Sequence, residues 1–343
     1  MKAVVLQSPG IDNVALVDLP DPEPGPGEVR VRVKAVSLNY RDLLTLDAGY
    51  GSRQKTDNLI LLSDGAGTVD ALGDALDDGV AGFQVGDRVV ASFFRDWTAG
   101  PATRARLDSA LGGAVDGMFA ELRVLPSHSL VKVPDALTDV EASTLPCAAV
   151  TAWSALVSQG RVAPGDVVLT QGTGGVSLFA LQFAKMAGAT VIATSSSDEK
   201  LARARELGAD HGINYKEISD WARQARALNN GNGVDHVVEV GGAGTLEQSI
   251  KATRVGGTVS LIGVLSGATN DLRLPLVVTQ NMRLQGVTVG SRDQLAAVVG
   301  AMAAGGVRPV IDQVFEMADF RRAFDHMQSG RHFGKICLGV GSS

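Results

Sequence analysis

The sequence predicts an α/β protein in two parts, one rich in β-strands and one built on a doubly wound parallel sheet. Two patterns carry that expectation. From about residue 139, short apolar strands alternate with amphipathic helices. Strands separated by helices need crossover connections, which give a parallel sheet. Before that point, short alternating stretches follow one another across Gly- and Pro-rich turns, the mark of a β-rich segment. The length of 343 residues points the same way, because a single hydrophobic core usually stops growing near ~250 residues. The 41 glycines and few aromatics suit tight turns and small-residue packing.

In the first third, VRVKAVSL (31–38) alternates, and DPEPGPGEV before it is a turn that cannot extend a strand. GAGTVDALG (65–73) and VGDRVVAS (85–92) are further short strands, joined by a polar loop over 74–84. Residues 98–116 are small and polar and read as a surface loop with little core; 118–134 return to alternation. DVEASTLPCAAVTAWSALV (139–157) reads as helices broken at Pro146. There follow strands over 165–171, 190–195, 211–215, 234–240, 257–264 and 284–290, with helices over 176–188, 198–208, 221–228 and 245–253. After Gly290 come a helix (292–305), a strand near 309–315, a helix (318–330) and a final strand (335–340). The simplest assembly returns this tail to the β-rich first third. The expected boundaries are 1–125 for the first part of the β-rich domain, 126–290 for the parallel-sheet domain and 291–343 for the return.

Bulk properties narrow the function. With 31 basic against 37 acidic side chains, the net charge of −6 gives no electrostatic footprint for nucleic acid. MKAVVLQSPG lacks the charged and apolar segments of a secretory leader. No apolar run approaches the ~18 residues a membrane span needs. Cys147 and Cys337 make no disulfide framework, so a reducing cytoplasm is the expected location. No two of the five histidines stand at metal-ligand spacing.

The strongest local motif is GTGGVS, which joins strand 165–171 to a helix. Gly172 allows the tight turn and Gly174 lets backbone approach a pyrophosphate. The helix near Gly175 aims unpaired N–H groups and its positive end at the phosphates. Thr173 and Val176 complete the turn, and Ser177 replaces the third glycine with a residue still small enough for close helix–strand packing. Such a string alone is weak, but between a strand and a helix it points to dinucleotide binding. NAD enzymes usually place a carboxylate ~20 residues further on; here that place holds Thr194, Ser195 and Ser196. Those hydroxyls leave room for a 2′-phosphate, and Lys200 offers it a positive charge, which favours NADP while leaving NAD open. Ser196 and Glu199 also have capping-box spacing for the next helix.

The ordered set PGPGEVRVRV, SLNYRDLL, SDGAGTVDALG, FQVGDRV and GTGGVS resembles the medium-chain dehydrogenase/reductase superfamily, most closely its zinc-free, quinone-oxidoreductase-like branch. The resemblance runs from about residue 1 to 340. It implies a GroES-like partial β-barrel from the two chain ends, a Rossmann domain between them, and an active site in the cleft. Zinc-dependent relatives place Cys, His and Cys ligands at the positions of Asn39, Ser63 and Cys147. Two of those three are replaced here, and residues 93–116 contain no cysteine for a structural zinc lobe. The resemblance therefore implies no zinc, and a Cys147 left as apolar filler.

It also implies roles for particular residues. In enone-reducing relatives a tyrosine follows the first-motif Asn by the spacing that separates Tyr50 from Asn39. Tyr50 becomes the candidate proton donor and Asn39 the group that orients nicotinamide ribose or substrate; a plain loop tyrosine in AGYGS remains an alternative. Thr151 matches a nicotinamide contact, and Lys200 with Tyr215 matches a clasp on the NADP 2′-phosphate. Gly241, Gly263 and Val264 lie at later strand ends beside the cofactor. Ser291 and Arg292 are candidate cofactor contacts, and Phe333, Gly334 and Lys335 candidate neighbours of the adenosine or phosphate. Phe93, Phe94 and Trp97 could stack on a planar substrate, or anchor a loop. The strand LQGVTVG resembles the edge through which relatives form dimers, so a homodimer or dimer-based oligomer is expected.

The function expected on this basis is an NAD(P)H-dependent, zinc-independent reductase of a quinone or activated C=C substrate. A zinc-free alcohol/ketone dehydrogenase is the alternative, and a non-catalytic NADPH-binding protein the alternative of another class.

Overall fold

Alternation and turn chemistry set the strands, and the tertiary pairing sorts them into three sheets. The computed structural model describes residues 1–74, 82–269 and 271–341. Most of the polar loop expected over 74–84 lies outside the described residues. The strands are β1 (Lys2–Leu6), β2 (Val14–Asp18), β3 (Glu28–Ser37), β4 (Leu59–Ile60), β5 (Asp64–Leu72), β6 (Arg88–Ala91), β7 (Leu122–Pro126) and β8 (Leu130–Lys132). They continue as β9 (Val167–Gln171), β10 (Thr190–Ser195), β11 (His211–Asn214), β12 (Val234–Glu239), β13 (Thr253–Leu261) and β14 (Arg283–Gly286), then β15 (Ile311–Glu316) and β16 (Lys335–Gly339).

By internal contacts the chain forms two units, Met1–Val150 with Gly290–Ser343, and Thr151–Val289. Residues 126–150 thus pack with the first unit. That unit holds a sheet of order β15-β16-β3-β5-β6-β8, with β7 also on β3, and a small sheet β2-β1-β4. The pairing is antiparallel throughout except between β15 and β16. The alternation along β3 reads out as burial: Val29, Val31 and Val33 are inside while Arg32 and Lys34 face water. The returning strand β16 pairs with β3, matching Cys337 with Ser37 and Leu338 with Val36. This register delivers Lys335, at the start of β16, beside the end of β3.

The second unit is one parallel sheet of order β11-β10-β9-β12-β13-β14. Both faces of its central strand are covered, so Val167–Gln171 reads as an unbroken buried run. Helices occupy Gly175–Met186, Asp198–Glu206, Trp221–Leu228 and Leu246–Ala252, close to their expected positions. One face of the sheet packs Leu169, Ile192, Ile213, Val237 and Val259 against Trp221, Ala222 and Ala225.

Three readings need correction. The segment 98–116 is not without a core: Arg104–Leu107 form a helical turn and residues 109–113 are buried. Leu111 donates its N–H to the Phe93 carbonyl there, and a Cβ on Gly112 would clash with the Leu62 backbone. Small residues were needed for close approach, which composition alone reads as polarity. The break expected at Pro146 is present: Asp139–Ser143 ends at its C-cap Thr144, and wide, π-type turns with Pro146 at their start follow over Leu145–Ala149. The strand expected over 284–290 is confined to Arg283–Gly286. Helices at Tyr40–Leu46 and Leu274–Thr279 were not anticipated; each is under two turns and carries too little periodicity to read. Among the described residues no helix is long and apolar enough to cross a membrane.

Leu169 is fully buried at the centre of the parallel sheet. Leu169→Ala should lower stability by ~2–5 kcal/mol, measured as a fall in the urea midpoint of the intact chain.

Candidate active site

In the second unit, β9 runs into the glycine turn. Gly172 adopts φ 71°, a left-handed conformation that favours glycine. A Cβ at Gly172 or Gly174 would meet nothing within 4 Å, so the turn opens onto space rather than onto protein. Gly174 precedes the helix Gly175–Met186, and no side chain caps that end. Its first-turn N–H groups, including those of Gly175 and Val176, are left for an anion, with the helix dipole behind them. Ser177 donates its hydroxyl to the Gln171 carbonyl at 2.6 Å, drawing the helix onto the strand. Thr173 is buried beside it. An open cradle, an uncapped helix and a left-handed glycine together fit a pyrophosphate.

Below this turn lies a residue the sequence reading missed. Glu239, fully buried at the end of β12, accepts from the Gly241 and Gly242 N–H groups (2.8 and 2.9 Å) and from the hydroxyl of Thr245 (2.6 Å). Its other oxygen takes Gln171 Nε2 at 2.8 Å and the Ser249 hydroxyl. One carboxylate thus fixes the turn holding Gly241 to the residue that precedes Gly172. An acidic residue closing an apolar strand was the available signal. Gly263 is held against the same strand end, since a Cβ there would fall 2.3 Å from the Val240 carbonyl. Val264 beside it is exposed, and Thr151 is buried.

At the tip of β10, the Tyr215 N–H reaches the Ser195 carbonyl at 3.0 Å, bringing Ser195, Ser196 and Tyr215 to one strand end. The Tyr215 side chain is exposed. Helix Asp198–Glu206 is capped by Ser197, whose hydroxyl accepts from the Lys200 N–H at 3.3 Å. The cap expected at Ser196 is therefore one residue late. The Ser195 hydroxyl receives the Ser197 N–H at 3.3 Å, so the turn passes over Ser196 and places Ser197 at the cap. Asp198 is engaged by Asn214 Nδ2 at 3.0 Å.

The first unit gathers Asn39, Ser63, Asp64, Cys147 and Lys335. Asp64 is fully buried and accepts from the Ser63 hydroxyl (2.8 Å) and the Cys147 N–H (3.2 Å), while the Ser37 hydroxyl, 3.5 Å away, donates its one hydrogen to the Ser143 carbonyl at 2.9 Å. Lys335, only 3% exposed, donates to the Leu38 carbonyl and to Asn39 Oδ1, each at 2.6 Å, and its Nζ lies 3.7 Å from Asp64 Oδ2. Asn39 is 8% exposed, and its Nδ2 has no partner. Desolvation, then the Asp64 carboxylate, push the Cys147 thiol well above its ordinary range, so it stays protonated and unreactive at neutral pH. Among the described residues no three His, Cys, Asp or Glu side chains converge as metal ligands. His326 and His332 do approach each other, rings 6.2 Å apart, with Asp312 2.7 Å from His326; sequence spacing concealed this.

Asn39 precedes helix Tyr40–Leu46, and its N–H is taken by Asp42 Oδ2 at 2.7 Å. Arg41 from the same helix lies between two aromatic rings, 5.3 Å from the Tyr50 centroid and 4.8 Å from that of Phe93, and donates to the Leu111 carbonyl at 2.9 Å. Tyr50 is 37% exposed; desolvation raises its phenol pKa, the Arg41 charge opposing. Phe93, Phe94 and Trp97 are buried against one another, with centroids 4.7 and 5.6 Å apart, and Trp97 Nε1 closes its own loop on Gly100. They anchor a loop and offer little open ring face.

Ser291 caps helix Arg292–Gly305 in a capping box with Gln294. Arg292 is tied to the Leu130 and Trp97 carbonyls. Phe333 is buried, its N–H on Asp312 Oδ1 at 3.0 Å. The following Gly334 could carry no Cβ beside the Val310 carbonyl.

A family model described as "Alcohol dehydrogenase GroES-like domain" matches residues 25–135, and one described as "Zinc-binding dehydrogenase" matches 175–330. A zinc-type alcohol dehydrogenase-like protein of Schizosaccharomyces pombe is 44% identical over 313 residues, covering 90% of this chain and 89% of that protein. Acryloyl-coenzyme A reductase of Sulfurisphaera tokodaii is 29% identical over 346 residues, 98% of this chain and 99% of the relative. A solved NAD-dependent alcohol dehydrogenase superposes with a TM-score of 0.90 at 36% identity, over 99% of this chain and all of the other. The GroES-like part and the Rossmann sheet with its phosphate turn define an NAD(P)-dependent oxidoreductase. The chain belongs to the medium-chain dehydrogenase/reductase superfamily.

Burial raises the Asp42 carboxyl from 3.8 to about 6. A raised folded-state value means that Asp42 costs nothing below pH 4 and destabilises progressively as pH rises through 6, by up to about 3 kcal/mol. Asp42→Asn, which keeps an acceptor for the Asn39 N–H, should remove that decline. Melting temperatures from pH 4 to 8 should separate the two proteins increasingly above pH 5.

Proposed function

We propose that the chain reduces a quinone or an activated C=C substrate with NADPH, without a metal. The observation that carries this reading is the donor set around Asn39. Catalytic zinc needs three protein ligands and an open position. Of the three positions Cys147 alone offers a sulfur, Asn39 and Ser63 are poor ligands, and the Lys335 ammonium is already in the group. A second cation there would meet that charge at short range. The residues do not fit zinc.

Bound NADPH supplies a hydride. Delivered to the β-carbon of an enone, it drives the C=C electron pair toward the carbonyl, and the oxygen gains the charge of an enolate. Asn39 Nδ2 is an unspent donor for that oxygen. The Tyr50 phenol, protonated at neutral pH, gives the proton that completes the reduction, and solvent restores it. A quinone follows the same course through a phenolate. Ser195 and Ser196, with Lys200 and Tyr215, favour the 2′-phosphate of NADP over a bare ribose. The edge position of β14 suits a homodimer, and two free thiols suit a reducing cytoplasm.

The alcohol-dehydrogenase names of the relatives favour a second reading, oxidation of an alcohol. NADPH oxidation with simple enones and quinones should exceed NAD(P)⁺ reduction with alcohols, in protein with less than stoichiometric zinc by elemental analysis. Tyr50→Phe should lower kcat ~10²–10⁴-fold with NADPH affinity intact; unchanged turnover would remove Tyr50 from the mechanism. Activity that tracks bound zinc would overturn the metal-free reading. Lys200→Ala should reduce the NADPH-over-NADH preference in kcat/KM about tenfold, the loss of one charge-assisted contact.

A further inference from the structure

We infer that Lys335 is a positioning residue. Its buried ammonium holds the Asn39 amide in one orientation, so that Nδ2 is presented as the hydrogen-bond donor to the substrate oxygen that gains charge. This rests on the metal-free reading above and assigns the residue that makes it work.

The two ends of an Asn amide have nearly the same shape, and only hydrogen-bonding partners distinguish them. An ammonium has donors and no acceptor, so the amide atom 2.6 Å from Lys335 Nζ must be the oxygen. The reversed amide would set N–H against N–H in a site closed to water. Lys335 itself is fixed. Its second donor goes to the Leu38 carbonyl at 2.6 Å, its backbone N–H to Val310, and its charge faces Asp64, which the Ser63 hydroxyl and the Cys147 N–H hold in place. The Asn39 backbone is held by Asp42. With every other handle occupied, Nδ2 alone is left without a partner, buried. A buried orphan donor is costly and needs a reason. A reacting oxygen supplies one, because a preorganised donor gains most where charge develops. The ammonium on the far side of the same amide polarises it and strengthens that donor.

The chemistry is unchanged by this assignment: hydride reaches carbon, the π pair moves to oxygen, and the proton follows. Lys335 touches none of the reacting atoms.

The test is a double-mutant cycle in the full-length enzyme, read with whichever substrate turns over fastest. Lys335→Met is made together with Asp64→Asn, so that no buried charge is left alone, and compared in backgrounds carrying Asn39 or Asn39→Ala. With Asn39 present, loss of the ammonium should lower kcat at least about tenfold. In Asn39→Ala the same change should cost less than about twofold, because there is no amide left to orient. NADPH affinity, measured by fluorescence titration, should stay within about threefold throughout, and Lys335→Arg should restore most of kcat. Equal losses in both backgrounds would overturn the inference, as would a loss expressed mainly in NADPH affinity, which would make Lys335 a cofactor contact. Should the doubly changed protein not fold, Asn39→Asp decides. It keeps an acceptor for Lys335 but no donor, and should lose kcat at least about tenfold with an unchanged melting temperature; full activity would sink the proposal. Zinc-linked activity would instead overturn the underlying metal-free reading, whatever the cycle gives.

Discussion

A buried ammonium and a buried carboxylate, 3.7 Å apart, organise the first unit. Neither tolerates isolation, since an unpaired charge in a protein interior costs several kcal/mol. Satisfying both recruits donors and acceptors from segments far apart in sequence: Leu38 and Asn39 at the end of β3, Ser63 and Asp64 at the start of β5, the Cys147 N–H, and Lys335 opening β16. The returning C-terminal strand is therefore joined to the front of the chain by polar chemistry as well as by its ladder with β3. An organic cation and its counter-ion thus hold the geometry of this polar group.

The second unit applies the same rule with one charge. Glu239 collects five donors from Gln171, Gly241, Gly242, Thr245 and Ser249. Because Gln171 immediately precedes the glycine turn, the carboxylate couples that turn to a later strand end. The turn itself stays open, and no side chain caps the helix that follows it.

Much of the architecture was legible because periodicity is local. The helices at Trp221–Leu228 and Arg292–Gly305 lie where apolar spacing put them, and the parallel sheet followed from alternation of strand and helix. The phosphate turn was legible because its glycines have few other reasons to be there. Short elements were not: the helix Tyr40–Leu46 is held by a cap and by burial, neither of which leaves a period. The burial of 109–113 was hidden because small residues that allow close backbone contact look the same as small residues in a loop. The aromatics Phe93, Phe94 and Trp97 read equally as stacking platform or anchor, and only the fold shows that they pack on one another.

By itself the sequence determined the fold class, the cofactor-binding turn, and the residue types at Asn39, Ser63 and Cys147, because each depends on neighbours in the chain or on one residue's own chemistry. Tertiary structure decided where Lys335 points, what Glu239 gathers and that Arg41 sits between Tyr50 and Phe93. Those outcomes depend on strand register and on which buried polar atoms must find partners, across 68 residues for Glu239 with Gln171 and 296 for Lys335 with Asn39, and no hydrophobic period encodes them.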